Sequence, residues 1–459
     1  MIPHRRIQAA CLLRVAYPWL RISSYIALLL TLFAIPLHAD LPQDDSNLHH
    51  GVKTCAGAPC HGHREIQEEP IWLNEATLWR QEDLHARAYD VLLNAESKKI
   101  AKNLQLSKPA HQAKICLDCH SDNVPSEFRG EQFKISEGIG CEACHGGSEK
   151  WLRSHATGSS HAANISRGMY PTDQPEKRAE LCLSCHFGTE SKFVDHQLMG
   201  AGHPRQSFEL YVFTQLMPAH YAIDQDYLDR KKQAPGGAQT WAIGQAEAVN
   251  QVLQTLLDPN RSAHGIWPEF VLFDCHACHH PLSDERWRPR PSVGLGPGLA
   301  RLNDANFLML RHSMELISPK SAERFQQLVR SLHHAMSDGV GKKSTIAQQL
   351  LELVTAFQES LQNWRVEDES VRVLTRRILQ EGTAGEYVDY AGAEQATLAL
   401  QVLVDELHNR QAYPEDVLAT LGSQLPKLLT ATKSPDDFQS SDFQIGMRLM
   451  RESLPADGD

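Results

Sequence analysis

Cysteine is almost missing from this 459-residue chain outside a few short motifs. Ten of the eleven cysteines fall in closely spaced pairs, and only Cys11 stands apart. Residues 300–459 have none, so that part cannot be stapled by disulfides, and no structural disulfide is expected elsewhere. Long apolar runs are scarce too. The one at residues 25–35 falls well short of the roughly 20 residues that span a bilayer. Basic residues are the minority, 45 Lys and Arg against 56 Asp and Glu, for a formal charge of −11. A chain of that sign suits a basic docking partner and makes nucleic acid an unexpected one. Acidic residues are absent from residues 1–39, which hold Arg5, Arg6, Arg14 and Arg21, the apolar run, and Leu37-His38-Ala39 ahead of Asp40. This is the layout of a secretory signal covering 1–39 and cleaved after Ala39, with no permanent membrane span left afterwards. Its loss leaves 41 basic against 56 acidic residues, a charge of −15.

The paired cysteines share one feature. Each pair is followed at once by histidine: Cys55 and Cys60 with His61, Cys116 and Cys119 with His120, Cys141 and Cys144 with His145, Cys182 and Cys185 with His186, and Cys275 and Cys278 with His279. Two thiols at this spacing reach the two vinyl groups of one porphyrin, and the next residue sets an imidazole on the iron. Structural zinc also uses paired cysteines but makes no demand on the following residue. Histidine is about one residue in twenty here, so five chance hits have a probability on the order of one in a million or less. The motifs therefore predict five covalently attached c-type haems. The first motif is wider, with Ala56-Gly57-Ala58-Pro59 between its cysteines. Covalent haem attachment takes place outside the bacterial cytoplasmic membrane, which agrees with the export signal and predicts a periplasmic protein.

Nineteen histidines remain as possible second ligands. His85 sits on a predicted helix after Trp79, between small neighbours that let a porphyrin approach. His155 follows the third motif by a short loop, with His161 as its near competitor. His196 and His203 flank Met199-Gly200-Ala201-Gly202, whose glycines allow backbone to pack on a haem edge. His203 precedes Pro204, and His220 follows Pro218 in a similar setting. His50 and His111 precede motifs by five residues, and His264 lies shortly before the last one. His63, His276 and His280 are weaker candidates. For all of these the alternative is a surface histidine or one bonded to a propionate.

The fold expected is mainly α: a multihaem cytochrome c domain with little sheet at 40–296, then a C-terminal antiparallel helical bundle at 297–459. Helical spacing appears at 207–216 and 239–257, then, beyond the Pro- and Gly-rich stretch 289–297, at 305–317, 320–337, 345–363, 369–381, 392–408 and 414–429. His312, His333, His334 and His408 lie in this tail, away from any motif.

Residues of the first four motifs carry a resemblance. Trp79 with His85-Ala86, Cys116-Leu-Asp-Cys-His, Gly138-Ile-Gly-Cys-Glu-Ala-Cys-His-Gly146, His155 and Cys182-Leu-Ser-Cys-His are similar to the cytochrome c-554 family of tetrahaem electron acceptors. The resemblance spans about residues 50–190. It implies that His85 serves the fourth haem and His155 the first, and that the haem of His120 is the best guess for an open position. The wide first motif, the fifth motif and the helical tail have no counterpart in those proteins.

The function expected is single-electron transfer between redox partners through five haems, with carrier favoured over catalyst and no catalytic residue assigned. One alternative is an oxidoreductase acting on a small nitrogen or sulfur compound at a five-coordinate haem. The other is a haem-bearing docking or anchoring subunit of a respiratory complex.

Overall fold

A computed structural model of the chain describes residues 41–63, 73–262, 269–279, 290, 292–296, 299–338 and 342–455. The expected signal segment lies outside them, as do His264 and His280. The chain is 62% helical, and among the described residues there is no strand, only isolated bridges such as Phe273 with Leu302.

The N-terminal half is made of short helices because its sequence keeps interrupting them with motifs, prolines and glycines. They include α1 (Val52–Cys55), α2 (Lys114–His120), α3 (Cys141–His145) and α4 (Pro175–His186). Proline at the start of α4 costs nothing, since the first-turn N–H groups have no intrahelical partner. The apolar clusters in this half are small, such as Leu92, Ala101, Ala110 and Leu117. That is the pattern expected where a cofactor supplies much of the core.

After the short α5 (Leu210–Leu216), long helices begin with α6 (Gly237–Leu257). Sixteen of the 21 residues of α6 are buried, so it is covered all round rather than on one stripe. Its neighbours are α4, α7 (Ala305–Ile317), α9 (Lys343–Gln362) and α11 (Tyr390–Asn409). Gly244 makes the packing against α5 possible, because a Cβ there would stand 2.6 Å from the Leu210 Cβ. The remaining bundle helices are α8 (Pro319–Asp338), α10 (Asp368–Ala384), α12 (Glu415–Ala431) and α13 (Ser440–Glu452). All but the last match the expected segments closely. One apolar core runs through them, from Val212 and Trp241 through Leu350, Ile378 and Leu400 to Met447 and Met450. The described residues from Leu41 onward form one compact unit.

The fifth motif is tied to the bundle by charge. Phe273 and Leu302 are bridged, and the Arg301 guanidinium lies 2.9 Å from the Asp274 carboxylate, which caps the turn Cys275–Ala277 by accepting from the His276 N–H. Behind it, buried Arg290 joins Asp304 and Asp389, and Asp304 also meets His333.

Candidate haem centres

In α2, α3 and α4 the motif occupies the last helical turn. Cysteines at i and i+3 and histidine at i+4 then fall on one face. The wide first motif reaches a similar end by another route. Cys55 closes α1, and the extra residues fold back so that the His61 N–H donates to the Cys55 carbonyl (3.1 Å) and the Cys60 N–H to Gly57 (2.9 Å).

Each motif histidine faces one other histidine across a nearly constant gap. Ring centroids are separated by 5.9 Å for His61 and His155, 6.4 Å for His120 and His203, 6.5 Å for His145 and His220, 6.3 Å for His186 and His85, and 6.1 Å for His279 and His196. Such gaps are wider than a close face-to-face stack. Two imidazoles on opposite sides of one metal, with bonds of about 2.0–2.1 Å and ring centres about 1.1 Å beyond the nitrogens, have centroids about 6.3 Å apart. The five pairs therefore fit an iron between each.

Ring orientation agrees. The His61 Nδ1 lies 2.8 Å from the Glu75 carboxylate, and the His85 Nδ1 lies 3.0 Å from that of Asp83. The Nδ1 groups of His120 and His203 face the carbonyls of Ala88 (3.0 Å) and Pro204 (2.8 Å). A hydrogen bond at Nδ1 fixes the tautomer and leaves Nε2 for metal. Burial also favours the neutral, ligating form: it lowers the pKa values of His120, His155 and His186, and that of His145 to about 3.

Local sequence explains part of this placement. Trp79 donates from Nε1 to the Ile139 carbonyl (3.0 Å), and the Ile139 N–H donates to the His85 carbonyl (3.0 Å). Gly138 must be glycine for this approach, since its φ is +70° and a Cβ would lie 2.6 Å from the His85 oxygen. Trp151 backs His155, while Phe208 and Phe213 back His186. A cavity of about 1700 Å³ joins these parts, lined by cysteines of all four N-terminal motifs together with His85, His155 and His220. Arg178 and Lys232 also line it, as cations available to propionates, whereas the Lys192 Nζ is taken up by the Asp118 carbonyl and the Cys185 Sγ, each at 3.0 Å. The fifth pair lies apart from this cavity.

The other candidates among the described residues face no motif histidine. His161 holds the Asp173 carboxylate (2.9 Å), His276 reaches the Pro435 carbonyl (3.1 Å), and His312 pairs with Tyr387 (2.8 Å). Among the described residues His50, His63 and His111 face no motif histidine. Two points differ from the sequence reading. His120, the expected open position, has His203 opposite it. His220, which had only its Pro218 context to single it out, faces His145.

Paired thiols, an imidazole beside each pair and a second imidazole one metal-width away are the equipment of a c-type cytochrome, whose role is haem-based electron transfer. Residues 55–146, which hold the first three motifs, match the family described as cytochrome c554 and c-prime. No curated protein and no solved structure matches the chain.

Proposed function

We propose that this chain is a periplasmic pentahaem electron carrier in which every iron sits between two histidines. The five opposed imidazole pairs carry the reading. Cys55, Cys60, Cys116, Cys119, Cys141, Cys144, Cys182, Cys185, Cys275 and Cys278 attach the haems. His61, His120, His145, His186 and His279 are the proximal ligands, with His155, His203, His220, His85 and His196 opposite them in that order. Haem supplies a one-electron iron couple, and an iron with both axial places taken by imidazole favours outer-sphere transfer over substrate binding. The His203 ring opposite His120 counts against the catalytic alternative.

The secretory layout of residues 1–39 and the excess of acidic residues support the reading of a secreted carrier docking against basic patches of redox partners. Among the described residues no helix is long and apolar enough to cross a membrane. The haem-bearing region 40–296 and the helical region 297–459 are divided by cofactor content, while their apolar core is shared.

Two measurements on the purified protein test this. Intact mass should give a chain starting at Asp40 with five haem additions; four would leave the wide first motif empty. Electron paramagnetic resonance of the oxidised protein should show low-spin ferric signals alone, and a stoichiometric high-spin signal would overturn the saturated-carrier reading.

A further inference from the structure

Among the described residues, no ion pair meets the Arg261 guanidinium. The side chain belongs to a residue only 6% exposed, and its Nε and Nη2 are buried without a hydrogen-bond partner among the described residues. Its guanidinium carbon lies 4.7 Å from the Phe193 ring centre and 5.9 Å from that of Phe187. Those rings support the flat faces of the fork but leave its in-plane donors unmet. Asp258 and Glu190 act on it at a distance, and neither forms an ion pair with it among the described residues. Burial lowers its pKa to about 10, which still leaves it a cation at neutral pH.

The residues that Arg261 touches and adjoins lead to two candidate haem centres. Phe187 directly follows His186, the motif histidine of the fourth site. On the other side, the Ser262 carbonyl accepts from the Glu269 N–H (3.0 Å), and the Glu269 carboxylate accepts from the His196 N–H (2.9 Å), whose ring faces His279 of the fifth site. Haem brings two propionate carboxylates, and a guanidinium fork is the donor set that meets a carboxylate in two parallel hydrogen bonds. We propose that Arg261 binds a haem propionate where the fourth and fifth centres meet, and that it holds the potential of that haem up. This rests on the pentahaem reading. Reduction adds one electron, supplied by the redox partner, and a fixed neighbouring cation favours the reduced state. The fourth and fifth haems offer the same carboxylate chemistry, so the test has to tell them apart.

The test uses the full-length holoprotein with Arg261→Leu, followed by intact mass and by potentiometric titration with visible and paramagnetic-resonance detection. Five haems should remain. One haem should become harder to reduce by about tenfold in its reduced-to-oxidised ratio, about 59 mV for one electron, while four stay in place. Repeating the titration with His85→Ala or His196→Ala, which make the fourth or the fifth haem high-spin and so distinguishable, identifies the one that moves. Arg261→Lys keeps the charge and loses the fork, so it should shift the same haem in the same direction by less; it also serves if the leucine variant fails to load haem. Five haems with five unchanged potentials in the variants would overturn the proposal and leave the pentahaem reading intact. Fewer than five haems in the unaltered protein would instead count against that reading.

Discussion

Replacing His203 with alanine should open one iron and only one. The ring of His203 stands 6.4 Å from that of His120, with its Nδ1 fixed on the Pro204 carbonyl. Alanine leaves nothing at that distance, so one haem in five should turn high-spin and bind carbon monoxide while four stay low-spin. A graded version acts through Gly202, whose φ is +121° and where a Cβ would come within 3.3 Å of the Ile100 Cγ1. Gly202→Ala should therefore strain the loop by about 1–3 kcal/mol, which loosens the hold of His203 by roughly 5- to 150-fold. The assay is paramagnetic resonance with a carbon monoxide difference spectrum, read in the full-length protein. His161→Ala is the control, because that ring is occupied by Asp173 and should leave both spectra unchanged. A low-spin, carbon-monoxide-silent His203→Ala would refute the assignment, as would a high-spin signal of equal size already present in the unaltered protein.

The buried charges of the bundle predict how stability responds to acid. Arg290 and His333 hold Asp304 well below the usual carboxylate range against the opposing effect of burial. A carboxylate with a depressed folded-state pKa contributes stability that is fully present above its unfolded value of about 3.9 and is lost as pH falls toward the folded value. Asp304→Asn should thus cost about 3–5 kcal/mol near neutrality and flatten the acid limb of a pH-dependent melting series; an unchanged acid limb would count against it. Ending the chain near residue 297 should give an aggregating product, because Trp241, Ile243, Leu253 and Leu256 on α6 are each at most 2% exposed and each loses about 1.5–3 kcal/mol of burial. A soluble, cooperatively melting truncation would refute that expectation.

What could be read from the sequence depended on how local the governing interactions are. The motifs are local, since their cysteines and histidine need only one helical turn. His85 and His155 could be singled out as candidates through their neighbours Trp79 and the third motif. The partnerships of His203 with His120 and of His196 with His279 join distant parts of the chain, and no spacing rule records them. His220 lay in a setting that many surface histidines share, and only its place opposite His145 sets it apart. The bundle helices followed their apolar periodicity. The exception, α13, was missed although Phe443, Met447 and Met450 lie on one helical face, because short polar stretches and Gly446 surround them. The apolar residues that encircle α6 were a sign of central burial, yet the proline-rich stretch after it reads as a boundary and hides its membership in the later core.

The thiols of different motifs meet in the folded chain. Cys55 lies within hydrogen-bonding reach of Cys141, and Cys119 within reach of Cys185. In an oxidising compartment such neighbours are ready to cross-link. A chain that folded before receiving its haems would thus bring together the wrong sulfurs, joining first motif to third and second to fourth, and would lock itself out of maturation. Under the pentahaem reading, ligation first and collapse second is the order of biogenesis that avoids this.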